Sequence, residues 1–264
     1  VSDSDASRPG PAAPALSFED VSVVRGGRLI WSEGTFDVPA GGIVAVIGPS
    51  GSGKTTLLHA VLGTIPVSSG TIRVLGRPPG AATGLIGYVP QNYAVAAGNA
   101  IRACDAVLLG LTGNRWGFGR ASAAERARVA EVLAAVDATD FAHRRLSQLS
   151  GGQRQRIAIA EALVAEPQLL ILDEPLTALD VRNQRDIVRL LAKIREELGV
   201  TILVVAHDLN PLLAVLDGAI YLLDGHAHFD TTDEVVDADL LSHLYGTSVQ
   251  VAHTPQGDMY VRSI

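Results

Sequence analysis

Gly48-Pro49-Ser50-Gly51-Ser52-Gly53-Lys54-Thr55-Thr56 lies between an apolar run, Ile43 to Ile47, and a run of helical character, Thr55 to Leu62. The string satisfies G-x-x-x-x-G-K-[ST], and strand, loop and helix in that order are the setting in which this motif cradles phosphate. Its glycines let backbone N–H groups point inward around β- and γ-phosphates, and the following helix adds its positive end. Lys54 would bridge β and γ oxygens, and the Thr55 hydroxyl would ligate Mg²⁺. Lys54 and Lys193 are the lysines of a chain that otherwise uses arginine. Between phosphates a compact ammonium fits where a planar guanidinium does not.

Working outward, Leu16-Ser17-Phe18, Val21 to Val24 and Thr35 to Val38 read as short strands, separated by turns at Gly26-Gly27 and Pro39 to Gly42. Ser69 to Gly76 and Ile86 to Gln91 read as further strands. From about 92 to 148 Ala, Arg, Glu and Leu dominate, with apolar positions at helical spacing over Ala123 to Val136. This predicts an all-helical insert. Alternation then resumes: strand Leu169 to Leu172, helix Val181 to Leu198, strand Val200 to Val205, helix Pro211 to Leu216, strand Ala219 to Leu223. Such alternation predicts an α/β fold with a parallel sheet covered on both faces. The end reads as a helix, Asp239 to Tyr245, and a hairpin, Val249 to Val251 with Met259 to Val261, around Pro255 to Asp258. Residues 1–14 carry no periodicity and are expected to be a disordered tail.

The chemistry-bearing residues cluster at strand ends. Leu169 to Glu174 is an apolar strand finishing in two carboxylates, and such tips face the crevice where open α/β sheets bind ligands. Asp173 would hold the Mg²⁺ shell and Glu174 would act as general base on the attacking water. His207 follows the strand ending at Val205 and could donate to a γ-phosphate, and Gln91 ends a strand at the same edge, within reach of Mg²⁺ or the water. Ser150-Gly151-Gly152-Gln153 opens a strong helix, Arg154 to Val164, offering a hydroxyl and free amides as a second anion site. One nucleotide, already surrounded by the first loop, cannot readily use both. The inference is a head-to-tail dimer whose second loop caps the γ-phosphate held by the other copy.

Composition narrows the class. A formal net charge of −7 over 264 residues is not the basic footprint of a nucleic-acid binder. The single cysteine, Cys104, cannot form an internal disulfide and reads as a small buried residue in a reducing compartment. No apolar stretch approaches the ~18 residues of a membrane span, and no signal peptide opens the chain, so the expectation is a cytosolic protein or one held at a membrane by a partner. His226 and His228 would share one side of a strand, but two histidines are too few for a defined Zn²⁺ site.

Taken together, these residues resemble the ATP-binding subunits of ABC transporters, over about Leu16 to Asp224. The resemblance rests on the Walker A loop (Gly48 to Thr56), the Q-loop Gln91, the LSGGQ signature (Leu149 to Gln153), Walker B (Leu169 to Glu174), the D-loop Asp180 and the switch His207. It implies a P-loop NTPase (RecA-like) parallel-sheet core, an N-terminal antiparallel β subdomain and an α-helical insert subdomain. Domain limits follow: ATPase domain 15–264, helical subdomain about 92–148, C-terminal helix and hairpin about 225–264. It also implies ATP and Mg²⁺, a homodimer of nucleotide domains, integral membrane permease subunits, an extracytoplasmic solute-binding protein, no nucleic acid, and a place at the cytoplasmic face of the cell membrane. Arg25 stands where the family usually has an aromatic that stacks on adenine, and a guanidinium can also stack on a base. Val107 to Leu111, Trp116 to Arg120, His207 to Pro211 and Leu244 to Val249 resemble the divalent-metal uptake group, for zinc or manganese. Iron-siderophore and cobalamin importers share part of these stretches. A soluble ATPase of this type acting on nucleic acid or ribosomes is the competing class, and it usually carries two nucleotide domains or basic linkers.

Overall fold

The computed structural model describes residues 13–93, 100–113, 121–253 and 259–263. Most of the expected tail (1–12), Trp116 to Arg120 and the turn Pro255 to Asp258 fall outside them. The strands are β1 (Leu16–Arg25), β2 (Arg28–Val38), β3 (Ile43–Ile47), β4 (Ser69–Val74), β5 (Ile86–Val89), β6 (Leu169–Asp173), β7 (Thr201–Val205), β8 (Gly218–Leu223), β9 (His226–Thr231), β10 (Val249–His253) and β11 (Met259–Ser263). The helices are α1 (Lys54–Val61), α2 (Ala103–Thr112), α3 (Ala123–Ala135), α4 (Gly151–Leu163), α5 (Val181–Leu198), α6 (Thr232–Val235) and α7 (Ala238–Tyr245).

Nine strands form one sheet in the order β4-β1-β2-β9-β8-β3-β7-β6-β5, and β10-β11 form a separate antiparallel pair. From β8 through β3, β7 and β6 to β5 the pairing is parallel, whereas β1 pairs β2 and β4 antiparallel. Every residue of β3, β6 and β7 is buried, as a strand covered on both faces requires. Alternation divides them between two layers: Leu170, Leu172, Ile202 and Val204 pack with α4, α5 and the helical insert. Leu169, Ile171, Leu203 and Val205 pack with α1 and the antiparallel strands. Truncating such a residue, Leu170→Ala for instance, costs about 2–5 kcal/mol. The helix α5 turns Ile187, Val188, Leu191 and Ile194 to this core; Asp180 caps its start and Gly199, at φ +63°, ends it.

Three local differences from the sequence reading have simple causes. β1 is one strand, not two, because an irregularity after Phe18, with Asp20 at φ +48°, interrupts the alternation without ending the pairing. The first half of β2 and all of β9 are additional; β9 turns back from β8 through Asp224-Gly225, both left-handed (φ +51° and +80°). Pro211 to Leu216 is a series of hydrogen-bonded turns instead of a helix, with Leu212 and Leu213 N–H both on the Leu209 carbonyl.

Candidate functional site

Because β3, β5, β6 and β7 are parallel, their C-terminal ends meet at one edge of the sheet, where ligands of open α/β sheets bind. The Gly48 loop leaves β3, Pro90-Gln91 leaves β5, Asp173-Glu174 ends β6, and Ala206-His207 leaves β7. Topology alone therefore gathers four segments up to 159 residues apart in the chain.

The loop is shaped for an anion. Gly48, Gly51 and Gly53 sit at φ +149°, +82° and +102°, a region that favours glycine. A Cβ on Gly48 would lie 2.7 Å from the Leu222 carbonyl, and one on Gly53 would lie 2.4 Å from Ile30 Cγ2. No side chain caps the start of α1, so its first amides remain for a ligand. The buried Ser52 hydroxyl has no hydrogen-bond partner, an omission that costs about 1–3 kcal/mol. Phosphate oxygens match each of these donors, so the loop fits ATP. Lys54, only 7% exposed, donates from Nζ to the carbonyls of Gly48 (2.8 Å) and Pro49 (3.0 Å). Burial draws its pKa down, while the Glu174 and Asp173 carboxylates push it up.

Glu174 is the centre of the polar cluster. Its backbone is left-handed (φ +50°), an arrangement that stores of order 1–3 kcal/mol and recurs at functional sites. Gln91 Nε2 donates to Glu174 Oε2 at 2.7 Å, and the Thr177 hydroxyl donates to the same oxygen at 3.2 Å. His207 Nε2 lies 2.6 Å from Glu174 Oε1. An ionised carboxylate only accepts, so Nε2 carries that hydrogen. Asp173 is buried at 8% exposure; burial and then Glu174 raise its pKa, against His59, His207 and Lys54. Tyr88 stands beside it, its own pKa raised by burial and by Asp173. Thr55, Asp173 and Gln91 offer the hard oxygens that suit Mg²⁺. Thr177 and Tyr88 were not expected from sequence, although the turn from Glu174 to Thr177 N–H and the strand spacing of Tyr88 from Gln91 are local signals.

Ser150 to Gln153 sit at the start of α4 in a capping box: Ser150 Oγ accepts from Gln153 N–H (3.3 Å), and Ser150 N–H donates to Gln153 Oε1 (3.0 Å). Gly152 is buried, and a Cβ there would lie 2.5 Å from Asn183 Oδ1. Asp180 caps α5, accepting from Asn183 N–H and Nδ2 (both 2.8 Å), and these bonds lower its pKa. None of these hydrogen bonds joins Ser150 to Gln153 or Asp180 with the phosphate loop. Arg25 is exposed at the tip of the β1–β2 hairpin, paired in register with Arg28 beside the half-exposed Val24 and Leu29. Further along that hairpin, Ile30 and Trp31 meet Gly53 of the loop.

Residues 32–177 match the ABC transporter family. The chain belongs to that family. This ABC ATPase is 36% identical over 210 residues to the zinc transport system ATP-binding protein TroB of Treponema pallidum, covering 80% of this chain and 79% of that one. It is 35% identical over 262 residues to the hemin import ATP-binding protein HmuV of Streptomyces coelicolor, covering 95% and 92%. A solved ABC transporter in an inward-facing conformation contains a chain of the same fold, with TM-score 0.82 and 29% identity over 95% of this chain and 97% of that one. Names of further relatives at 33–37% identity specify manganese transport, and phosphonate and sulfate/thiosulfate import. Like these ATP-binding proteins, the chain is an ATPase. No helix among the described residues is long and apolar enough to cross a membrane. Nor do the described residues gather three or more His, Cys, Asp or Glu side chains as a metal site; His226 and His228 are ring neighbours at 6.3 Å on β9.

Proposed function

We propose that the chain hydrolyses ATP to energise an importer of a divalent metal such as zinc or manganese. In this reading two copies pair head to tail on the cytoplasmic face of the cell membrane, held there by permease subunits served by an extracytoplasmic solute-binding protein. Gly48 to Thr56 hold the phosphates, Thr55, Asp173 and Gln91 take Mg²⁺, which would neutralise phosphate charge, and Arg25 lies against the base. Ser150 to Gln153 and Asp180 complete the site of the partner copy. Glu174 accepts the proton of the attacking water, with Gln91 and His207 fixing its two oxygens. The observation that carries the reading is the Gln91–Glu174–His207 cluster at the mouth of a loop whose buried Ser52 hydroxyl lacks an acceptor. The zinc and manganese names of relatives support the metal, together with the insert and C-terminal stretches quoted from sequence.

The hemin-import relative, which spans more of this chain than the zinc relative does, favours a second reading in which the cargo is an iron chelate or a related macrocycle. A deletion strain separates the two. Growth restored by added zinc or manganese, and co-purification of the chain with a membrane permease, support the metal reading. Growth restored only by hemin or an iron chelate supports the second. Lys54→Ala should abolish tight ATP binding, and unchanged affinity would overturn the phosphate-loop assignment itself.

A further inference from the structure

Tyr93 lies two residues beyond Gln91 and is 9% exposed. Its hydroxyl donates to Glu161 Oε2 at 2.5 Å across 68 residues of chain. Glu161 is in the last turn of α4, the helix that Ser150 and Gly151 open. Burial and the neighbouring carboxylate raise the phenol's pKa, so the hydroxyl stays protonated and remains the donor. The Glu161 backbone is equally fixed: a Cβ on Gly110 of α2 would come within 2.4 Å of its carbonyl oxygen, so α2 and α4 touch at this point. Gln91, meanwhile, donates to Glu174. A route thus runs from the Glu174 carboxylate to Gln91 by a hydrogen bond, along the chain to Tyr93, across a second hydrogen bond to Glu161, and along about 16 Å of helix to Ser150.

We infer that Tyr93 and Glu161 are a positioning pair that sets the Gln91 loop against α4, holding Gln91 on Glu174 and tying the loop's position to that of Ser150. The inference rests on the proposed roles of Gln91, Glu174 and Ser150. Neither side chain touches the nucleotide site, so the pair acts through Gln91 and not on ATP. A misplacement of about 1 Å near reacting groups costs up to about a hundredfold in rate, and loss of this one tether is expected to lower kcat about tenfold.

The experiment measures ATP hydrolysis by the purified full chain. Tyr93→Phe should lower kcat about tenfold with KM for ATP unchanged, and Glu161→Gln, which still accepts from the hydroxyl, should stay near wild type. In a Gln91→Ala background Tyr93→Phe should add little, because the tether then holds nothing at Glu174. Tyr93→Phe alone leaves a half-buried carboxylate without its donor and lowers the melting temperature; pairing it with Glu161→Leu removes both polar partners and should restore stability. The double variant separates positioning from packing. If it melts like wild type yet stays slow, the pair positions Gln91. If its kcat recovers with its stability, or if Tyr93→Phe turns over at the wild-type rate, the inference is wrong. Glu174→Gln serves as control: its inactivity beside a fully active Tyr93→Phe would overturn the positioning pair alone, whereas its full activity would overturn the site reading.

Discussion

Glu174→Gln changes the proposed base with the least change of shape. The left-handed backbone at φ +50° keeps an unbranched residue, so the strain there is common to both chains. The carboxamide oxygen can still accept from Gln91 Nε2 (2.7 Å in the wild type) and from the Thr177 hydroxyl (3.2 Å). The new NH₂ then faces His207 Nε2, 2.6 Å away in the wild type, which accepts once the imidazole carries its proton on Nδ1. The hydrogen-bond count is conserved, and folding stability should move by less than about 1 kcal/mol. Basicity is what disappears. A general base contributes about 10²–10⁴ in rate, equal to about 3–5.5 kcal/mol of barrier. Phosphate release by the purified variant should fall by at least about a hundredfold, while equilibrium binding of ATP is retained. Wild-type turnover would remove Glu174 from the chemistry. Loss of ATP affinity in step with kcat would refute the hydrogen-bond accounting.

Gly53→Ala puts a Cβ 2.4 Å from Ile30 Cγ2 at φ +102°, so it should lower ATP affinity and melting temperature together through a strain of at least about 1–2 kcal/mol. Calorimetry and a thermal melt read both, and normal values in either would contradict the packing of the β1–β2 hairpin on the loop. Gly152→Ala pushes Asn183 off Asp180 and should cost about 0.5–1.5 kcal/mol by thermal or urea unfolding. Adding Asn183→Ala removes the clash, so the double variant should lose less than the sum of the single changes. Arg25→Ala should weaken ATP binding modestly if the guanidinium stacks on the base, and titration with GTP in parallel shows whether Arg25 discriminates between purines.

Burial explains which parts of this structure can be read from sequence. β3, β6 and β7 are apolar throughout because both faces are covered, and α5 announces itself by one apolar face and an Asp180 cap. By contrast, β9 mixes exposed His228 with buried Ala227 and half-buried Phe229, so no period stands out. The one local signal is Asp224-Gly225, the kind of pair that closes a two-residue hairpin, here with Leu223 opposite His226. Pro211 to Leu216 misleads in the opposite direction: its apolar residues are divided between two cores, Leu212 and Val215 joining the layer of α4 and α5 while Leu213 packs with Leu241, Leu244 and Val249 of the C-terminal helix and hairpin. At the site, parallel strand ends make the meeting of Gln91, Glu174 and His207 predictable. Nothing local could pair Tyr93 with Glu161, since a glutamate on a helix ordinarily reads as a solvated charge and its partner is 68 residues away.

The two oxygens of Glu174 are not equivalent. Oε2 already accepts from Gln91 and Thr177, which fills both of its lone-pair directions, whereas Oε1 accepts only from His207 among the described residues. In the proposed reaction, the water that gives its proton to Glu174 would meet Oε1, on the side of His207, whose ring is half exposed while the carboxylate is 13% exposed. The same asymmetry divides the labour around the proposed base. Gln91 and Thr177 fix the orientation of the carboxylate from one side, and the tether through Tyr93 bears on that side alone. His207 holds the other oxygen, Oε1, from the exposed side of the crevice. On this argument, substitutions at Gln91 or Tyr93 disturb how the proposed base is aimed, and substitutions at His207 disturb what approaches it, so the two classes should multiply in kcat, adding in activation free energy, whereas Gln91 and Tyr93 should not.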